Sequence, residues 1–273
     1  METVKNKKIK VFTLICLVLA LAAGVIRTFM LAKIVEPDTG LYFANAGLAH
    51  IFEFGVLALG AVVFLFGKRL FKKVDCPTEV TSESTATVFA SALCAFMFFS
   101  IFVYGIYAAF IGESQLGKLM LVQVILCIPC GINHLFVCAK VRREKTASQA
   151  LLAMSVPVMF AIRIIELFMR TDTQINTSQR SLELLMLCAI MLFFLGESSF
   201  LVTKNTDEQD EKMSGFAKYY IAAMGVVMLT IIAVVPYLLV SVFWVFETDF
   251  LLMDVLECCV MLYAASRLIA AHK

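Results

Sequence analysis

Charge is what this chain has least of. Asp, Glu, Lys and Arg make up 16% of its 273 residues, whereas soluble domains carry about 25%. Long polar stretches are missing as well. The two longest, "KKVDCPTEVTSESTAT" and "VTKNTDEQDEKMSG", have the length of loops. That excludes a separate soluble domain and leaves residues 1–273 as a single integral membrane domain. Catalytic signatures are absent too. There is no G-x-x-x-x-G-K-[ST] phosphate loop and no H-E-x-x-H zinc helix, and "GESS" (196–199) lacks the G-x-S-x-G spacing of a nucleophile elbow. Histidine occurs three times, and His50 and His134 fall at different depths, so they do not build a metal site with Glu53. No lysine in the apolar segments suits a retinal Schiff base. These absences argue against an enzyme, a bound metal or other cofactor, and a nucleic-acid partner.

Cysteine is not scarce, but its placement excludes a disulfide scaffold. Of nine cysteines only Cys76 lies in a loop. The rest fall in apolar segments, where free Cys behaves as a small hydrophobe. "CIPC" (127–130) has the C-x-x-C spacing of redox and metal sites, without the βαβ context or second ligand pair those sites need.

What fills the chain is apolar: 61% of residues are hydrophobic and the mean hydropathy is +0.91, against about 45–50% apolar residues in soluble domains. A helix needs about 20 apolar residues to cross the hydrocarbon core. Eight segments qualify, at roughly 11–34, 42–66, 87–111, 118–139, 149–169, 181–203, 216–240 and 250–270. Asp254 and Glu257 interrupt the last. The expected fold class is all-α, a polytopic membrane helix bundle of about eight transmembrane helices.

Basic residues gather in every second loop. They are Lys5, Lys7, Lys8 and Lys10; Lys68, Arg69, Lys72 and Lys73; Lys140, Arg142, Arg143 and Lys145; Lys204, Lys212 and Lys218; and Arg267 with Lys273. An excess of Lys and Arg marks the cytoplasmic side, so both termini are expected in the cytoplasm. "KNKKIK" followed by an apolar run and "ALA" (20–22) imitates a secretory signal, but the run continues to Val35, too far for a signal core. Tyr219 and Tyr220 inside, and Tyr42, Tyr107, Tyr237 and Trp244 outside, read as interfacial anchors. "EPDTG" (36–40) has the chemistry of a tight turn. Span one ends "GVIRTFMLAK" and span five "FAIRIIELFMR", which suggests a 4+4 parallel repeat of the kind some transporters carry.

The charges left inside the spans carry the functional reading, since each costs about 2.5–3.5 kcal/mol at a helix centre on insertion scales. Arg163 and Glu166 lie three apart in the outer half of span five. Asp254 and Glu257 are three apart in span eight, and His50 and Glu53 in span two. Arg27 and Gln123 fall at comparable levels. These eight residues are expected to form a buried ionic layer around an outward-facing cavity. The inner half is sparser, with Asn133, His134 and Glu197. Pro129, Pro157 and Pro236 interrupt spans four, five and seven, and Pro157 stands less than two turns before Arg163.

The stretch "IRTFMLAKIVEPDTGLYF", with Arg27 near the end of the first span and a D-x-T-G-[FL]-[YF] turn after it, resembles uncharacterised multi-pass proteins of Gram-positive bacteria over the first two spans. The resemblance implies a bacterial cytoplasmic membrane and brings no activity with it. The residues leave two functions open. One is a small-solute or proton-coupled permease, with His50 and Glu53 handling protons. The other is a membrane sensor or accessory subunit whose ionic network is structural or ligand-sensing. Expected partners are membrane lipids, which the basic inner loops would touch, and a small polar solute or proton.

Overall fold

A backbone in hydrocarbon must satisfy its own N–H and C=O groups, and a helix does so within one segment. The long apolar runs fold accordingly. The computed structural model describes residues 2–34, 46–71, 84–110, 118–139, 147–169, 177–202, 209–243 and 251–270. They form α1 (Glu2–Ile34), α2 (Ala46–Phe71), α3 (Thr85–Phe110), α4 (Lys118–Cys138), α5 (Ala147–Met169), α6 (Thr177–Val202), α7 (Gln209–Phe243) and α8 (Leu251–Ala270). No strand occurs among the described residues. Seven helices, α1 to α7, are long and apolar enough to cross a membrane. The 20-residue α8 carries Asp254, Glu257 and Arg267. α1 and α7 begin seven to nine residues before their apolar runs were expected to start. The turn at 36–40, Cys76, Arg170, Tyr42 and Trp244 lie outside the described residues.

Each helix from α3 to α8 packs on the next, and α8 returns to pack on α3. Six helices thus close a ring. α1 and α2 lie on its flank, held chiefly by α7, and scarcely touch one another. The arrangement is two plus six. α5 and α6 pack closely whereas α1 and α2 do not, so α1–α4 and α5–α8 do not pack as equivalent halves despite the Ile-Arg pair that α1 and α5 share.

Sequence details fix these contacts. Ser84 caps α3, its Oγ accepting the Thr87 N–H at 3.2 Å, as N-cap hydroxyls do. Gly24 lets α1 approach α7: a Cβ there would stand 2.7 Å from the Ile231 carbonyl oxygen. Such small-residue approaches are typical of helix contacts in membranes. Thr13 Oγ1 and Tyr220 OH lie 2.7 Å apart, bonding the same two helices. Tyr219 and Tyr220, expected as anchors at the interface, are instead core residues, 3% and 1% exposed. Tyr219 stacks on Phe193 of α6 at 5.2 Å. Their rings go inward because α7 is packed on by α1, α2, α6 and α8. Apolar side chains such as Phe54, Phe110 and Leu151 stand outward and exposed. The eight described cysteines are free thiols; Cys130 Sγ lies 3.6 Å from Ser155 Oγ between α4 and α5.

Candidate functional site

α5 runs toward the end of the ring where α4, α6 and α8 begin, the end expected outside from the loop charges. There the Arg163 side chain is 4% exposed. Its Nη1 donates to Glu166 Oε2 at 3.0 Å and its Nη2 to Glu183 Oε1 of α6 at 3.5 Å. Gln123 Nε2 of α4 donates to the same Glu166 oxygen at 2.7 Å. On α8, Glu257 is buried and Asp254 half-buried. The two carboxylates interact with each other, with Glu183 and with Arg163. Four helices therefore supply one polar cluster. It holds one guanidinium and four carboxylates, those of Glu166, Glu183, Asp254 and Glu257. Just beyond, the Arg180 guanidinium donates to the carbonyls of Leu167 and Phe168. Arg180 thereby caps free carbonyls at the end of α5.

The structure divides the expected layer of eight. Gln123, Arg163, Glu166, Asp254 and Glu257 come together, joined by Glu183. Arg27, His50 and Glu53 sit on α1 and α2, on the flank of the ring. Arg27 is fully buried, and its guanidinium carbon lies 5.8 Å from the centre of the Phe52 ring, a cation–π distance. His50 pairs with Glu53 at 3.5 Å and its side chain is 66% exposed. The separation follows from packing. α2 has neighbours on one side only, so a residue at its outer end can share depth with Arg163 without sharing an interior. Depth was readable from the sequence, and azimuth was not.

A second polar cluster occupies the other end of the ring. Arg267 of α8, expected among the cytoplasmic loop charges, is buried, and its Nη2 donates to Glu197 Oε1 of α6 at 3.0 Å. Tyr263 OH donates to the same Glu197 oxygen at 2.5 Å and accepts from Arg267 Nη2 at 2.9 Å. On α4, His134 Nδ1 lies 3.0 Å from Ser91 Oγ of α3. Aromatic rings fill the middle. His134 stacks on Phe98 and meets Phe194 and Tyr263 edge-on, at 5.6, 5.8 and 5.1 Å. Phe160 and Phe194 stack at 6.3 Å. Two of these contacts, His134 with Phe194 and with Tyr263, join helices that are not neighbours in the ring, so the layer reaches across its interior.

Sequence reasoning missed Glu183, Tyr263 and Arg267. Glu183 stands at the edge of an apolar run, where an acidic residue reads as a solvated helix end. Its signal was the spacing to Arg180, a helical turn that turns one residue toward α5's end and the other toward Arg163. Arg267 follows Tyr263 by four, and Glu197 was the only acidic residue at that depth; together they were a recognisable trio. Among the described residues no group of His, Cys, Asp and Glu is placed to hold a metal ion. Compared with known protein families, curated proteins and solved structures, the chain matches none.

Proposed function

We propose that the protein is a permease of a bacterial cytoplasmic membrane, with both termini in the cytoplasm, and that the cluster around Arg163 is its outward binding site for a small polar solute. One observation carries the reading: a buried arginine, Arg163, is held inside a helix ring by Glu166 of its own helix and Glu183 of α6, with Glu257 of α8 buried at the same end. Buried ion pairs contribute little to stability once desolvation is counted. Charge held inside a membrane bundle generally marks a substrate or ion path. The aromatic layer of Phe98, His134, Phe194 and Tyr263 separates this cluster from the Glu197–Arg267 pair, which favours alternating access over an open pore.

The test is counterflow in proteoliposomes with a panel of labelled small cationic, neutral and anionic solutes. Saturable exchange abolished by Glu257→Gln supports the permease. The aromatic layer also suits a sensor that binds at the outer cluster without passage. Solute-dependent stabilisation with no counterflow for any solute selects that reading and rejects the permease.

A further inference from the structure

At its inner end the ring is tied across its middle as well as along its wall. We propose that Glu197, Tyr263 and Arg267 are a gate: joined, they close the end of the ring expected in the cytoplasm, and separated, they open it. The proposal rests on reading the ring as a solute path.

Which helices the bonds join is the first ground. In the outer cluster Gln123 and Glu166 link α4 to α5, and Arg163 and Glu183 link α5 to α6. These pairs are neighbours in the ring, so the bonds run round its wall. In the inner cluster Arg267 and Tyr263 of α8 both bond Glu197 of α6, although α7 packs between those two helices. His134 of α4 meets Phe194 of α6 and Tyr263 of α8 edge-on. Three alternate helices thus reach one another across the interior.

Burial close to helix ends is the second ground. Arg267 stands three residues before the end of α8, and Glu197 five before the end of α6. Interior side chains at that level would be wetted at an open mouth, yet Glu197, Tyr263 and Arg267 are all buried.

The third ground is how the contact is made. Both bonds from α8 end on a single oxygen, Glu197 Oε1, so one carboxylate makes or breaks the pair of them. Arg267 Nη1 is buried without a hydrogen-bond partner among the described residues. Buried donors are nearly always satisfied in native proteins, and water entering an open end would satisfy this one. The joined arrangement therefore carries a cost that opening returns.

Cys94 of α3 can report the opening. It is a free, fully buried thiol within electrostatic reach of Glu197, which stands on a helix that is not its neighbour in the ring. The experiment labels the full-length protein with a membrane-impermeant maleimide, in sealed vesicles of either orientation, and reads each cysteine peptide by mass spectrometry. In the wild type Cys94 should label slowly from both faces. Tyr263→Phe and Glu197→Gln should each speed its labelling from the cytoplasmic face by about tenfold or more, the scale on which losing a buried hydrogen bond shifts a two-state equilibrium. The rate from the outer face should not change, nor should that of Cys130, buried between α4 and α5. If Glu197→Gln does not fold, Tyr263→Phe carries the test, because it removes a hydroxyl and leaves the charge beside Cys94 in place. Unchanged Cys94 labelling in Tyr263→Phe overturns the gate. Equal acceleration at Cys130 or from the outer face overturns it too, since that is general loosening. Opening at Cys94 with no counterflow of any solute supports the gate while the permease reading fails. Counterflow with Cys94 labelling unmoved in Tyr263→Phe overturns the gate and leaves the permease standing.

Discussion

At the scale of the residue, Arg163 decides whether its cluster is anchoring or an ionic network. Removing one partner of a buried pair strands the other and costs about 3–5 kcal/mol; an exposed pair is worth about 0–1 kcal/mol. With Arg163 4% exposed and bonded to both Glu166 and Glu183, Arg163→Ala should lower the Tm of the detergent-solubilised protein by the larger amount. Adding Glu183→Gln should restore part of the loss, since it removes a stranded carboxylate. A mild effect with no coupling to Glu183 would return the pair to surface energetics. At the other end Tyr263→Phe removes one hydroxyl that serves both Glu197 and Arg267. It should cost about 1–3 kcal/mol, the penalty for unsatisfied buried polar groups, read as a Tm shift beside that of Tyr107→Phe on an exposed ring. Much of this residue-level picture was visible in advance. Arg163, Glu166, Asp254 and Glu257 announce themselves by being charged in apolar company. Glu183 and Arg267 do not, because a charge near the end of a run looks solvated whether or not a neighbouring helix covers it.

Helices meet through faces, and the face is the part a single chain hides best. The helices and their order could be read from apolar run lengths, because hydrocarbon thickness sets them; seven of the eight are long and apolar enough to span. Which run touches which could not, since a membrane helix is apolar all round and has no amphipathic stripe to point inward. α2 illustrates the consequence. Its His50 and Glu53 have the depth of the outer cluster and the wrong neighbours. Glycine gives the same lesson in testable form. Gly24→Ala pushes a Cβ to 2.7 Å from a backbone oxygen of α7, and that atom has no rotamer to escape by. Overpacking of this kind costs about 1–3 kcal/mol. At Gly60 of α2 a Cβ meets nothing within 4 Å, so alanine gains helix propensity of up to about 1 kcal/mol. The Tm should fall for Gly24→Ala and hold or rise for Gly60→Ala. A Tm that holds or rises for Gly24→Ala as well would mean that α1 and α7 are not in close contact there.

For the whole molecule the remaining question is whether α8 crosses the membrane, as α1 to α7 are apolar enough to do. Its three charges make it the least hydrophobic candidate, yet packing explains each of them. Asp254 and Glu257 belong to the outer cluster, and Arg267 belongs to the inner one, so α8 faces polar partners rather than lipid along one side. Glu197 stands five residues before the end of α6 at Val202, and Arg267 three before the end of α8 at Ala270. Their side chains pair at 3.0 Å, so both helices finish at the same end of the bundle. The segment after α6 contains Lys204, with Lys212 and Lys218 following, and short basic segments stay in the cytoplasm. On that assignment the C-terminus is expected on the same side. A green fluorescent protein fused after Lys273 should therefore fluoresce, and alkaline phosphatase fused there should be inactive. Phosphatase placed near Thr177, at the start of α6, should be active. An active phosphatase after Lys273 would put Arg267 and Glu197 on opposite sides of the membrane, and with that the ring, its two clusters and the outward site would all fall.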